Sequence, residues 1–178
     1  MRKFTKIFGI GLSRTGTHSL SHALTEIGLT VVHFPKDFAE VEAHDASTDS
    51  RVADKFELLD RAFPGSLFIH TVRTREDWLQ SCERFWASFA QFANAPDLRA
   101  LHARLYGSAD FDRAIYAEAY GRHGLRVASH FANRRGDLLE MNIRDGDGWP
   151  QLAAFLEIAV PSTPFPHDRA PGGVGVIS

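Results

Sequence analysis

The stretch Ile7-Phe8-Gly9-Ile10-Gly11-Leu12-Ser13-Arg14-Thr15-Gly16-Thr17-His18-Ser19 decides how the rest of the chain is read. Its opening, Ile7 to Ile10, has the apolar run of a buried strand. A Gly/Ser/Thr turn follows. From about Thr17 the residues Leu20, Ala23, Leu24 and Ile27 recur at spacings of three and four, the period of a helix, which Gly28 stops. Gly11 and Gly16 have the spacing of a phosphate-binding loop. Glycine there lets backbone N–H groups turn inward around an anion, and the helix behind adds the positive end of its dipole. Ser13, Thr15, Thr17 and Ser19 offer hydroxyls, and Arg14 offers a fixed cation. A capped βα turn with no ligand would use the same residue types; the order strand, loop, helix is what credits the motif.

Working outward, Leu29 to Phe34 reads as a second strand ended by Pro35. Segment 36–50 is polar and shows no readable period. Val52 to Phe63 reads as a helix with Phe56, Leu58, Leu59 and Phe63 on one side, and Pro64-Gly65-Ser66 as a turn. A third strand spans Leu67 to Val72, and a helix runs from Glu76 to about Phe92. Residues 97–106 and 110–132 are helical, Leu138 to Ile143 is a fourth strand, and Trp149 to Leu156 is a last short helix. Residues 161–178, rich in proline, read as an irregular tail of a single domain spanning 1–178. Strands alternating with helices predict an α/β domain of three layers, P-loop in type, with a central, mainly parallel sheet flanked by helices. Such sheets bind ligands beyond the carboxyl ends of their strands, where the loop lies.

Composition narrows the partners. The 178 residues are 44% hydrophobic and 24% charged, enough for one well-buried core. The formal charge of -2 argues against a nucleic-acid or membrane-surface module but leaves room for a small anionic ligand. Cys82 stands alone, so no internal disulfide is expected, and a reducing, cytoplasmic setting is the simpler expectation. The run Ile7 to Leu12 is too short for a signal peptide or a membrane span.

In nucleotide triphosphatases a lysine follows the second glycine of the loop, to reach the β- and γ-phosphates. Thr17 stands there instead. The third strand ends in Thr71-Val72-Arg73, placing a cation where a magnesium site wants an acid. A phosphate loop with hydroxyls and an arginine but no metal suggests a different anionic group donor.

Gly11-Leu-Ser-Arg-Thr-Gly-Thr17 resembles the 5′-phosphosulfate loop of sulfotransferases that use 3′-phosphoadenylyl sulfate (PAPS). Arg73, with Ser81 eight residues on, resembles that family's pair for the nucleotide 3′-phosphate. Leu59-Asp-Arg-Ala-Phe-Pro-Gly65, Gly136 to Ile143, Gly146 to Leu156 and Pro164-Phe-Pro-His167 resemble other segments of a compact, bacterial-type branch of the family. The resemblance implies PAPS as co-substrate, adenosine 3′,5′-bisphosphate as product, no metal, and a small-molecule acceptor. It also implies a nucleotide site made of Ser13, Arg14, Thr15, Gly16, Thr17, His18, Ser19, Arg73 and Ser81. His18 departs from the Ser or Thr common at its position. The basic element that cytosolic members use to complete the 3′-phosphate site is not evident, and Arg134, Arg135 and Arg169 are the candidates for it.

Transfer to a hydroxyl also needs a base. His33, at the end of the second strand and beside the first loop if those strands are neighbours, is the first candidate; a strand-end histidine that merely bonds a loop is the plainer alternative. Asp49 is the second candidate, and a helix N-cap is its other reading, since Asp49-Ser50 precedes the Val52 helix. Arg14 is the expected stabiliser of the leaving phosphate. His18 and His22, four apart, lack a third metal ligand. Trp78, Phe85, Trp86, Phe89 and Phe92 stripe one helix and read first as core. A nucleoside or small-molecule kinase and a catalytically inactive nucleotide-binding domain are the rival readings.

Overall fold

In a computed structural model, residues 1–88 and 95–167 are described. Five strands, β1 (Ile7–Gly9), β2 (Val31–His33), β3 (Ala46–Thr48), β4 (Leu67–Thr71) and β5 (Leu138–Met141), form one sheet in the order β2-β3-β1-β4-β5. Every pairing is parallel; Gly9 lies opposite Thr48 on one side and Ile69 on the other. The helices are α1 (Thr17–Glu26), α2 (Phe38–Ala43), α3 (Ser50–Ala62), α4 (Arg75–Ser88), α5 (Pro96–Tyr106), α6 (Arg113–His130) and α7 (Trp149–Leu156). Two 3-10 turns, Arg135–Asp137 and Ile143–Asp145, bracket β5.

Alternation along the strands sorts the layers. Ile7, Leu67, Ile69 and Met141 point to one face, where Leu20, Ala23 and Leu24 of α1 and Trp149, Leu152 and Leu156 of α7 cover them. Phe8, Ile10 and Phe68 point to the other face, against Val52, Phe56 and Leu59 of α3 and Val127 of α6. A third cluster, with Leu12, Trp78, Cys82, Leu105, Tyr106 and Tyr116, packs α4, α5 and α6 beside the loop that leaves β1. The molecule is therefore the three-layer α/β arrangement expected from the alternation of elements. Among the described residues no helix is long and apolar enough to cross a membrane.

Two expectations need correction. Segment 36–50 is not formless: it holds α2 and the strand β3, which inserts between β1 and β2, so the first two strands are not neighbours. Leu58 does not share the buried side of α3 with Phe56 and Leu59; it is 50% exposed. Phe89 and Phe92, and the end of the helix expected to reach Phe92, lie outside the described residues.

Insertion of β3 sets the site. β1 is central, and the chain crosses from β3 on one side of it to β4 on the other. The loop after β1 thus has the end of β3 on one flank and the end of β4 on the other. This is the position where parallel α/β sheets open a ligand crevice.

Candidate functional site

The β1–α1 loop is shaped by close packing. A Cβ on Gly11 would lie 1.9 Å from Thr71 Oγ1 and 2.7 Å from the Thr71 carbonyl oxygen, so only glycine lets the loop rest on the end of β4. Arg14 (φ 72) and Gly16 (φ 111) both take positive φ, the backbone alternation that turns successive N–H groups to one side as an anion nest. Helix α1 then starts from Gly16 with no side-chain cap and no acidic residue in its first turn, whereas α2, α3 and α6 each start from an aspartate that accepts a backbone hydrogen bond. The positive end of α1 is not neutralised by its own sequence.

The end of β4 and the start of α4 close on the loop from one side. Arg73 donates from Nη1 to the Arg14 carbonyl at 2.9 Å, and Arg14 donates from Nε to Ser81 Oγ at 3.3 Å. Trp78 donates from Nε1 to the Ser13 carbonyl at 2.8 Å. The Arg14 guanidinium lies over the Phe85 ring, 5.0 Å from its centroid. Tyr120 of α6 holds the Arg73 backbone at both ends, its hydroxyl donating to the carbonyl and accepting from the N–H. Loop, Arg73 and Ser81 thus converge in one place. Burial lowers the Arg73 pKa, and the charges of Arg144 and Arg14 push the same way while Asp77 opposes them. The Nε of Arg73 is buried without a hydrogen-bond partner. Cys82, next in sequence to Ser81, is no nucleophile: burial pushes its thiol up to about 12 despite the pull of Arg14 and Arg73.

The end of β3 closes the other side. Asp49 accepts from Ser13 Oγ at 3.0 Å, from Ser50 Oγ at 2.7 Å and from Thr17 Oγ1 at 3.4 Å. It also meets His33 Nε2 at 2.7 Å. Burial alone would raise the Asp49 carboxyl, but the hydrogen bond and charge of His33, with the bonds from Ser50, hold it well below the usual carboxylate range. His33 Nδ1 lies 2.8 Å from Thr48 Oγ1 and 3.1 Å from Ser21 Oγ. The two base candidates are therefore partners. His33 reaches the loop through Asp49 across β3, with β3 rather than β1 as its neighbour. The N-cap reading of Asp49 holds, since its carboxylate also accepts from the Ser50 N–H at the start of α3.

Two loop side chains are engaged within the protein. The Thr15 hydroxyl turns into the protein, donating to the Leu12 carbonyl at 2.6 Å and meeting Thr71 Oγ1 at 2.7 Å. It braces the loop, and its single proton is committed there. His18 lays its ring on His33, with centroids 3.8 Å apart. Thr17 and Ser19 are buried at the first turn of α1. Among the described residues no group of His, Cys, Asp or Glu side chains is arranged to hold a metal ion.

Arg134 and Arg135 do not complete the cluster. They precede β5 at the opposite edge of the sheet, where Arg134 pairs with Asp60 and Asp137. Arg169 lies outside the described residues. Thr71, Trp78 and Tyr120 shape the site; the sequence reading took Trp78 first as core and gave Thr71 and Tyr120 no place in the site. Their types and spacing are those of ordinary core residues, and only the fold brings them to the loop.

A family model described as a sulfotransferase domain matches residues 6–45 and 36–173. Among curated proteins, "Ava biosynthesis cluster protein M" of Aspergillus versicolor is 24% identical over 211 residues, covering 91% of this chain and 80% of that protein.

Proposed function

The chain belongs to the sulfotransferase domain family, and from that premise we propose that it moves a sulfonate from PAPS to a hydroxyl or amine of a small-molecule acceptor. The observation that carries this reading is the joining of two separate sequence elements at one edge: Arg14 of the loop bonds Ser81, and Arg73 bonds the Arg14 carbonyl. Two anionic ends of one nucleotide would find a nest and helix start at one place and an arginine–serine pair beside it. The buried, unpartnered Nε of Arg73 fits such a ligand.

PAPS supplies the sulfonate when bound. The residues of the chain bind, orient and stabilise. Arg14 and the loop N–H groups face the negative charge that gathers on the departing phosphate, a preorganised electrostatic contribution. The acceptor proton is assigned to the His33–Asp49 pair, with neutral His33 the member that takes it up and becomes imidazolium beside the Asp49 carboxylate. Both ring nitrogens of His33 are engaged, so the pair works as one unit, with His33 fixing the carboxylate and Asp49 facing the loop hydroxyls. Its charge, held by His33, orients an incoming hydroxyl over the loop.

Calorimetric titration with adenosine 3′,5′-bisphosphate and with ATP–Mg²⁺, followed by sulfonate transfer from PAPS over a panel of hydroxyl and amine acceptors, tests the reading. Preference for the bisphosphate together with transfer is the expected result. Preference for ATP–Mg²⁺ would replace the proposal with a kinase, and bisphosphate binding without any transfer would replace it with an inactive nucleotide-binding domain.

A further inference from the structure

Arg73 and Ser81 give a nucleotide 3′-phosphate one cation and one hydroxyl, and the arginines before β5 lie at the wrong edge to add another. A different arginine lies at the right one. β4 and β5 are neighbouring parallel strands with Thr71 opposite Met141, and the Val72 N–H donates to the Met141 carbonyl at 2.8 Å. The chain leaves both strands at the same edge. Arg73 comes two residues after Thr71, and Arg144 comes three residues after Met141, in the turn Ile143–Asp145.

That turn is fixed in place. Ile143 is buried and sits against the loop, its Cδ1 only 3.2 Å from where a Cβ on Gly16 would be. The Asn142 N–H donates to Asp147 at 2.7 Å, and the Asn142 side chain donates to Asp145 at 2.8 Å. Both carboxylates nearest in sequence to Arg144 are thus bonded to Asn142, while Arg144 itself is exposed. Among the described residues, Arg99, Arg104, Arg126 and Arg134 all pair with carboxylates, but none does so with Arg14, Arg73 or Arg144. Arg73 feels the charge of Arg144 ahead of that of Arg14. Arg73 thus has a buried, unpartnered Nε–H and feels two further arginines, with Asp77 opposing them, a cost that an anion relieves.

We infer that Arg144 is a nucleotide-binding residue, the second cation beside Arg73 and Ser81 for the ribose 3′-phosphate. The inference rests on the PAPS reading above and adds to it a residue from a turn after β5, where the family resemblance marked none. It makes Arg144 a determinant of specificity: it separates a 3′,5′-bisphosphate from a 5′-monophosphate and leaves the 5′ end to the loop.

The test is titration of the wild type, Arg144→Ala and Arg135→Ala with adenosine 3′,5′-bisphosphate and with adenosine 5′-monophosphate at one fixed salt concentration. Arg144→Ala should weaken the bisphosphate by about 10–100-fold, the size of a lost charge-assisted contact, and leave the monophosphate unchanged. Arg135→Ala, at the opposite edge, should change neither. Arg144→Gln is run in parallel, so that a folding defect of the alanine variant does not hide the result. Full bisphosphate affinity in both Arg144 variants would overturn the inference and leave the sulfotransferase reading standing. Equal losses for both nucleotides would also overturn it, by moving Arg144 to the 5′ end. A wild type that does not bind the bisphosphate would remove the reading itself, and the inference with it.

Discussion

Asp49 holds a backbone conformation, φ 86 and ψ -173, that glycine alone enters freely. Strain of that kind, of order 1–3 kcal/mol, persists only where neighbours over-determine it. Here they do: Ser13, Thr17, Ser50 and His33 all hold the carboxylate. The aspartate therefore joins three elements at one atom group, the β1–α1 loop, the end of β2 and the start of α3. This separates its stability role from its proposed part in transfer. Asp49→Gly loses the carboxylate but relieves the backbone, whereas Asp49→Ala loses the carboxylate and keeps the strain. The glycine variant should be more stable than the alanine variant by about 1 kcal/mol, after allowing for the added freedom of glycine in the unfolded chain. Both should lose sulfonate transfer alike. Urea unfolding of the two variants checks the first expectation, and equal midpoints would show that the strain is not carried by residue 49.

Elements that announce themselves by period were legible in the sequence: β1, β4, α1 and α7 stand close to where apolar spacing puts them. β3 was not, and its residues explain why. A central strand of a parallel sheet usually reads as a run of large apolar residues, but β3 is Ala46-Ser47-Thr48. Thr48 packs so closely on β1 that a Cβ on Gly9 would lie 2.8 Å from its Cγ2. The Thr48 hydroxyl is taken up by Ser21 at 2.6 Å and by His33. Small polar residues, buried and satisfied across elements, look from sequence like loop. The same applies to His123 on α6, one of several histidines scattered on a helix. It is buried, donates from Nε2 to the Ile10 carbonyl at 2.7 Å, and has His70 and Phe56 as ring neighbours, with Arg126 on its own helix. Glu140 of β5 sits on the far side of His70. Burial first, then the neighbouring His70, pull the His123 pKa down to about 3. The unfolded chain thus binds a proton near pH 6.5 that the folded chain refuses until about pH 3. Its contribution to stability is complete above about pH 6.5 and declines as acid is added down to about pH 3. His102, pulled to about 4 by burial, adds to the same slope. His123→Gln keeps a neutral donor for Ile10 and cannot take up the proton. Its denaturation midpoint should fall less steeply than that of the wild type between about pH 6.5 and 4.5, a window above most carboxylate titrations. Parallel slopes would show that His123 is not the group responsible.

At the scale of the molecule, residues far apart in sequence meet only because every strand is parallel and ends at one edge. The loop after β1, Asp49 after β3, Arg73 after β4 and the 143–145 turn after β5 come from the ends of four strands. The loop was readable because it is local: strand, glycines and helix follow one another within 13 residues, from Ile7 to Ser19. The Arg73 and Ser81 pair was readable for the same reason. The place of Arg144 was not, because it depends on β5 lying beside β4, which no local pattern states. A nucleotide held at this edge would add to the bonds by which the loop and α4 already meet, Arg14 to Ser81 and Trp78 to the Ser13 carbonyl. Binding to the native state alone stabilises it by mass action, about 2.7 kcal/mol at a ligand concentration 100 times the dissociation constant. Adenosine 3′,5′-bisphosphate should therefore slow amide hydrogen exchange at three separated places: residues 11–19, the first two turns of α4, and the 143–145 turn. The Arg135–Asp137 turn at the opposite edge should exchange as before, apart from whatever global unfolding contributes. Exchange measured with and without the bisphosphate, and again with adenosine 5′-monophosphate, separates the two ends of the site. The monophosphate should protect the loop and the start of α1 but not the 143–145 turn. Protection confined to the loop with both nucleotides would mean that the ligand touches one strand end only, and the four strand ends would then frame a phosphate site rather than a nucleotide site.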